Sequence, residues 1–345
     1  MSTRRSDKIK VIFYGVGAIG SEVARFGLTR PWLEAVGAVD TDPAKIGQDL
    51  GEVLQLGRTL GVEVSGNPAT LFKRVNADVV VLTTGSFLPA IYDQLEMAAQ
   101  AGLNIVTSAE ELAFPTLQSA KLAEQLDGLA KDKGITIKGT GINPGFVMDS
   151  LIVYLATASA DVSHVWSRRI VDCSRRRKQL QQKVGAGLSV EQFKANLGKT
   201  IFGHVGLMES AALVADGVGM IPDRITQSVE PVVAETSVES EHVMVKPGEV
   251  SGMRQIARGF SNGRECVNLE VLFYVGAPEP KDQILIKGMT DIDVTIKDGI
   301  AGDQATVAIL INAIAPTLAA KPGLLVPTGK SISEIIWRCS VDLGY

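Results

Sequence analysis

Three glycines in Gly15-Val16-Gly17-Ala18-Ile19-Gly20 follow the apolar run Lys10-Val11-Ile12-Phe13-Tyr14 and precede Ser21 to Thr29, where Val23, Phe26 and Leu28 recur at helical spacing. Strand, tight turn and helix in that order give the G-x-G-x-x-G spacing a mechanism. The first glycine permits the turn, the second lets backbone approach a diphosphate, and the third lets helix and strand pack closely. The helix N-terminus attracts the negative charge. Ala18 and Ile19 belong to the same cradle, and Asp40 ends the next strand, where a carboxylate accepts from ribose hydroxyls. The segment is read as a dinucleotide site. Asp40 favours NAD(H), while Thr41 and Lys45 lie near enough to accommodate the 2′-phosphate of NADP(H).

Two further groups end strands of the same kind. Thr84, Gly85 and Ser86 follow Asp78-Val79-Val80-Val81-Leu82, at the strand end where open α/β sheets bind ligands, and can contact the cofactor on its nicotinamide side. Glu110 and Glu111 follow Asn104 to Thr107. Adjacent residues at a helical start point in different directions, so one of the two is expected to face the cleft. Acidic residues also favour a helix N-terminus without any catalytic duty.

The elements that must position these groups are legible from periodicity. Strands are expected at Lys10 to Tyr14, Leu33 to Val39, Ala77 to Leu82, Asn104 to Thr107 and Ile135 to Lys138, with helices between them, notably Pro89 to Ala101 and Thr116 to Lys133. Apolar strands alternating with helices form a parallel sheet covered on both faces. Residues 1–145 are therefore read as a doubly wound Rossmann domain, ending at the turn-rich Gly139-Thr140-Gly141-Ile142-Asn143-Pro144-Gly145. Strand-like stretches then recur at Val165 to Val171, Ser237 to Val245, Cys266 to Val275 and Asp291 to Ile296, with helices at Val190 to Leu197 and Leu207 to Gly217. Residues 146–300 are read as an α+β domain whose antiparallel sheet carries substrate contacts. The segment 301–345 is read as helical, with one long helix from Asp303 to Ala320, packing back on the first domain.

Composition bounds the rest. A chain of 345 residues with 46% hydrophobic, 21% charged and 5% aromatic residues fits two folded domains. A net charge of -4 gives no general attraction to nucleic acid. The basic run Ser174-Arg175-Arg176-Arg177-Lys178 reads first as a solvated face. Cys173, Cys266 and Cys339 show neither disulfide nor metal spacing, which fits a reducing compartment. No secretion signal or membrane span is visible, and the reading is cytoplasmic, with no metal and no membrane or nucleic-acid partner.

Four segments carry a resemblance: Asn104 through Pro115, Gly139 through Asp149, Arg169-Ile170-Val171-Asp172 through Gln182-Lys183-Val184-Gly185-Ala186-Gly187, and Gly203-His204-Val205-Gly206-Leu207-Met208-Glu209-Ser210. Together with the glycine loop they resemble the 2,4-diaminopentanoate dehydrogenase and native amine dehydrogenase family. That resemblance implies reversible oxidative deamination of an amine to a ketone and ammonia, with reductive amination in reverse, and a second domain with a mixed sheet that lines the substrate cleft and forms a homodimer. It also implies that a glutamate after the fourth strand assists catalysis, taken here as Glu111 with Glu110 as the second choice. An ionised glutamate can bind ammonium and carry protons, and the dinucleotide performs the redox step.

The same resemblance makes Arg169, Asp172 and Arg177 pocket-wall residues. Asn143 is read as contacting nicotinamide or substrate, Pro144 and Phe146 as walling the pocket, and Asp149 and His204 as further substrate contacts. Two other readings remain. A dihydrodipicolinate reductase-like imine reductase shares the architecture, but its paired histidines are missing, since His164, His204 and His242 are isolated. A non-catalytic NAD(P) sensor would have no use for a cleft carboxylate.

Overall fold

The computed structural model describes residues 8–197 and 203–326, in two units: residues 8–145 with 302–326, and Phe146–Ala301. The chain begins β1 (Ile9–Tyr14), α1 (Ala18–Gly27), β2 (Leu33–Val39), α2 (Leu50–Val53), β3 (Val64–Ser65), α3 (Pro68–Arg74), β4 (Val79–Leu82) and α4 (Leu88–Gln100). Then come β5 (Asn104–Thr107), a 3-10 turn at Glu110–Ala113, α5 (Thr116–Lys133) and β6 (Thr136–Gly139). The second unit supplies α6 (Ser150–Ala156), β7 (His164–Asp172), α7 (Lys178–Lys183), α8 (Val190–Asn196) and α9 (Leu207–Gly217). Its strands continue with β8 (Arg224–Val233), β9 (Val238–Glu239), β10 (Met244–Val245), β11 (Val250–Ser261), β12 (Arg264–Tyr274), β13 (Lys281–Lys287) and β14 (Ile292–Lys297). Back in the first unit are α10 (Gly302–Asn312), α11 (Ile314–Ala319) and β15 (Gly323–Leu325).

In the first unit seven parallel strands run in the order β15-β6-β5-β4-β1-β2-β3. All four residues of β4 are buried, because successive side chains enter cores on opposite faces of the sheet. Ile12, Val80, Leu82 and Ile105 pack on one side; Val11, Phe13, Val79, Val81 and Val106 pack on the other. Helix α10 completes the second of these cores with Val307, Leu310 and Ile311.

The long helix expected from Asp303 to Ala320 is two helices that break at Ala313. Pro316 lacks the N–H that would bond to Asn312, so the ladder cannot continue through it. Asp303 lies in the first turn of α10. Residues 327–345 lie outside the described chain.

The second unit is built on a mixed six-stranded sheet, β14-β13-β7-β12-β11-β8, in which β7 and β12 are parallel and the other pairs antiparallel. Helix α9 packs on β11, β12 and β8, and α6 on β13, covering one face. The stretch read as one strand from Ser237 to Val245 is a small hairpin, β9 with β10. Among the described residues no helix is long and apolar enough to cross a membrane.

Candidate active site

β1, β4 and β5 lie side by side and parallel, so the loops leaving their C-terminal ends share one edge of the sheet. The strand order reverses between β1 and β4, the place where such sheets bind ligands. Gly15 takes a φ of +89° there, and its N–H donates to the Val39 carbonyl at 2.8 Å. A Cβ on Gly20 would lie 1.7 Å from the Gly15 carbonyl oxygen, so α1 can pack on the turn only if that residue is glycine. The Thr83 hydroxyl donates to the same carbonyl at 2.7 Å and fastens the loop to the end of β4.

Gly17 is the N-cap of α1, and no side chain caps this helix. A Cβ at Gly17 would meet nothing within 4 Å. The backbone N–H groups of Ala18, Ile19 and Gly20 therefore begin a helix in front of an open cradle, an arrangement that fits the diphosphate of a dinucleotide.

Asp40 follows β2 and is more heavily engaged than a simple ribose contact needs. Its Oδ2 accepts from the Val16 N–H at 2.9 Å and from the Lys45 ammonium at 3.1 Å; its Oδ1 accepts from the Asp42 N–H at 2.9 Å. Lys45 also donates to the Val16 carbonyl at 3.1 Å. Burial alone would raise the Asp40 carboxyl. The Asp42 amide, the Lys45 ammonium and the Val16 amide outweigh it and hold the group below the usual carboxylate value.

Glu111 sits in the 3-10 turn after β5 with 8% of its surface exposed. Its N–H donates to the Ser86 carbonyl at 3.2 Å, and its Oε2 accepts from the Leu88 N–H, the first of α4, at 2.7 Å. The carboxylate thus acts as an outside cap for a helix whose own N-cap, Phe87, offers no side-chain acceptor. It is held beside Ser86 with Oε1 left for a second donor. Glu110 is half-buried. The Thr84 hydroxyl bonds the Gln94 side chain of α4, and a Cβ on Gly85 would press on Ile91 at 2.8 Å. Asn143 and Pro144 are buried in the turn after β6.

The remaining candidates belong to the second unit. Phe146 is exposed at its start. Asp149 is fully buried: Oδ1 caps α6 at Ser150, and Oδ2 accepts from the Ser210 hydroxyl of α9 at 2.8 Å. Arg169, expected on a pocket wall, grips both oxygens of Asp282 at 2.6 and 2.7 Å and the Ile300 carbonyl at 2.5 Å. Asp172 accepts from the N–H and hydroxyl of Ser174 and from the Gly276 N–H. Arg177 is exposed at the N-cap of α7. His204, half-buried, lies edge-on to Phe273 with ring centres 5.5 Å apart.

Two buried glutamines were not singled out by sequence reasoning. Gln181 donates from Nε2 to the carbonyls of Cys173, Ser174 and Arg176, so the start of the basic run is laced to α7. Gln255 bonds the backbone of His204. A glutamine within a helix or strand gives no local signal of such a role, because the partner carbonyls converge only in the fold.

The sequence of this chain matches two family models. Residues 146–337 match the 2,4-diaminopentanoate dehydrogenase C-terminal domain, and residues 9–126 match the N-terminus of dihydrodipicolinate reductase. The 2,4-diaminopentanoate dehydrogenase of Acetoanaerobium sticklandii is 31% identical over 328 residues, 92% of each chain. An amine dehydrogenase of Streptomyces virginiae is 25% identical, covering 92% of this chain and 94% of its own. Among solved structures, an amine dehydrogenase from Mycobacterium smegmatis superposes with a TM-score of 0.81 at 28% identity, covering 93% of this chain and 96% of that one.

Proposed function

The chain belongs to the 2,4-diaminopentanoate dehydrogenase family and is an NAD(P)-binding oxidoreductase acting on CH–NH2, and from that premise we propose how its residues serve the reaction. The substrate is a small amine, released as a ketone with ammonia, and the reverse reaction is a reductive amination. A bound nicotinamide dinucleotide supplies the exchange of hydride with the amine-bearing carbon. Glu111 is the proton-handling residue: its carboxylate receives the ammonium form, takes one proton to free the nitrogen lone pair, and exchanges protons as water adds or leaves.

The observation that supports this assignment is the tie of Glu111 to Ser86 and Leu88. It holds a nearly buried carboxylate at the same sheet edge as the glycine loop. In our reading Gly15, Gly17, Ala18, Ile19 and Gly20 hold the diphosphate, Thr84, Gly85, Ser86 and Asn143 border the nicotinamide, and Asp40 receives the ribose. Asp40 has about four acceptor sites and three protein donors, which supports NAD(H) as the usual cofactor. Its pairing with Lys45 lowers the local negative charge enough to tolerate NADP(H).

We further propose a homodimer formed through the second sheet. On the face opposite the helices, Trp166, Ile170, Leu272 and Leu285 are half-buried. They flank an ionic chain in which Glu270 bonds both Arg168 and Arg254, and Arg254 reaches Glu230.

The deciding assay offers the purified protein ammonia, a panel of ketones, and either NADH or NADPH. Ammonia-dependent cofactor oxidation, faster with NADH, is the expected result. Tight dinucleotide binding without turnover on any ketone would instead identify a sensor.

A further inference from the structure

We propose that Gln255 is a positioning residue for His204, fixing through the histidine backbone the place at which the imidazole meets the amine; this rests on the amine dehydrogenase reading above together with the substrate-contact role that the family resemblance implies for His204. Gln255 lies on β11 with 0% exposure. A buried carboxamide is costly unless its donors and acceptor are met, and here the acceptor and one donor meet the backbone of a single residue. Its Oε1 accepts from the His204 N–H at 2.6 Å, and its Nε2 donates to the His204 carbonyl at 2.8 Å. The same Nε2 reaches the Gln227 Oε1 on β8, also at 2.8 Å.

The orientation of the amide is dictated by its partners, since the backbone N–H requires an oxygen and the backbone carbonyl requires an N–H. The two-point bond does for His204 what a neighbouring strand does within a sheet. His204 otherwise lies in a connecting segment between Gly203 and Gly206, whose φ values are +109° and +96°. A Cβ on Gly203 would sit 2.9 Å from the Gln255 Oε1, so the approach is as close as a glycine permits. The ring is limited separately by its edge-on contact with Phe273. Backbone and ring are therefore fixed by two different strands of one sheet, which suits a side chain that must meet a ligand at a set point. A misplacement of about 1 Å in such a group can cost about 10²-fold in rate.

The test is a double-variant cycle in the full-length protein, with Gln255→Leu, His204→Ala and the two combined. It reads kcat and KM for the amine, and the Kd for NADH as a check on the first unit. We expect Gln255→Leu to raise the amine KM about 10-fold or more with the NADH Kd unchanged. In the His204→Ala background it should add little, because coupled residues are not additive. Gln255→Glu gives an independent readout. While protonated, the introduced carboxyl can still donate to the His204 carbonyl; once ionised it cannot. Burial raises such a carboxyl, so the KM ratio of variant to parent should stay near one at low pH and climb as pH rises.

If Gln255→Leu does not fold, the exposed Gln227→Leu replaces it. It should raise KM about 3-fold in the parent and not in His204→Ala. Losses that multiply in the double variant, a KM ratio that does not vary with pH, or an unchanged KM in His204→Ala would each overturn the inference. A parent that binds NADH but turns over no amine would overturn the underlying reading as well, an outcome distinct from multiplying losses in an active enzyme.

Discussion

Glu111 has two tasks that a substitution can separate. Gln in its place keeps a carbonyl oxygen for the Leu88 N–H but cannot take a proton. Glu111→Gln should therefore lower kcat for amine oxidation by about 10²-fold or more, with little change in melting temperature or NADH affinity. Stopped-flow turnover checks it, and full activity in Glu111→Gln with loss in Glu110→Gln would move the role to Glu110. Asp40 makes a prediction about pH. Its folded carboxyl lies below the unfolded value of about 3.9, so ionised Asp40 stabilises the fold above that value, and the contribution is lost as pH falls towards the folded one. Asp40→Asn should lower the melting temperature at pH 7, and the gap to the parent should narrow as pH falls below the unfolded value. The glycine loop and Asp40 were readable because their spacing is local. Gln255 and the Arg169 pair were not, because their partners lie 51 and 113 residues away in the chain.

Among the elements, those of the first unit were legible because their burial follows a simple period. Strands β2 and β5 have the expected bounds, and β4 is buried at every position. In the second unit β8, β11 and β13 escaped notice for physical reasons. Strand β8 carries Pro231, which an edge strand tolerates, and β11 is interrupted by Gly252, Arg254, Arg258 and Gly259. Strand β13 buries Asp282, which belongs in a core only because Arg169 of β7 faces it. Both side chains are 3% exposed, so removing one charge strands the other. Asp282→Asn is expected to cost about 3–5 kcal/mol in urea unfolding, far more than a surface ion pair. A loss below about 1 kcal/mol would mean that water reaches the site. Arg169 therefore reads as a buried support between β7 and β13, whatever its neighbours bind.

For the whole molecule, the proposed homodimer is open to a direct test. Ile170→Glu places a carboxylate on the face of the second sheet away from the helices, and sedimentation should then show a monomer where the parent sediments as a dimer; a monomeric parent would discard the proposal. The course of the chain has a separate consequence. It leaves the first unit after residue 145 and returns only at residue 302 to supply α10, α11 and β15. Val307, Leu310, Ile311 and Ile314 wall a core whose other side is made of Val11, Phe13, Val23 and Val106. During synthesis from the N-terminus, then, the dinucleotide-binding half has an unfinished flank until the whole second unit has emerged from the ribosome. The half that begins first on the ribosome is the half that finishes last.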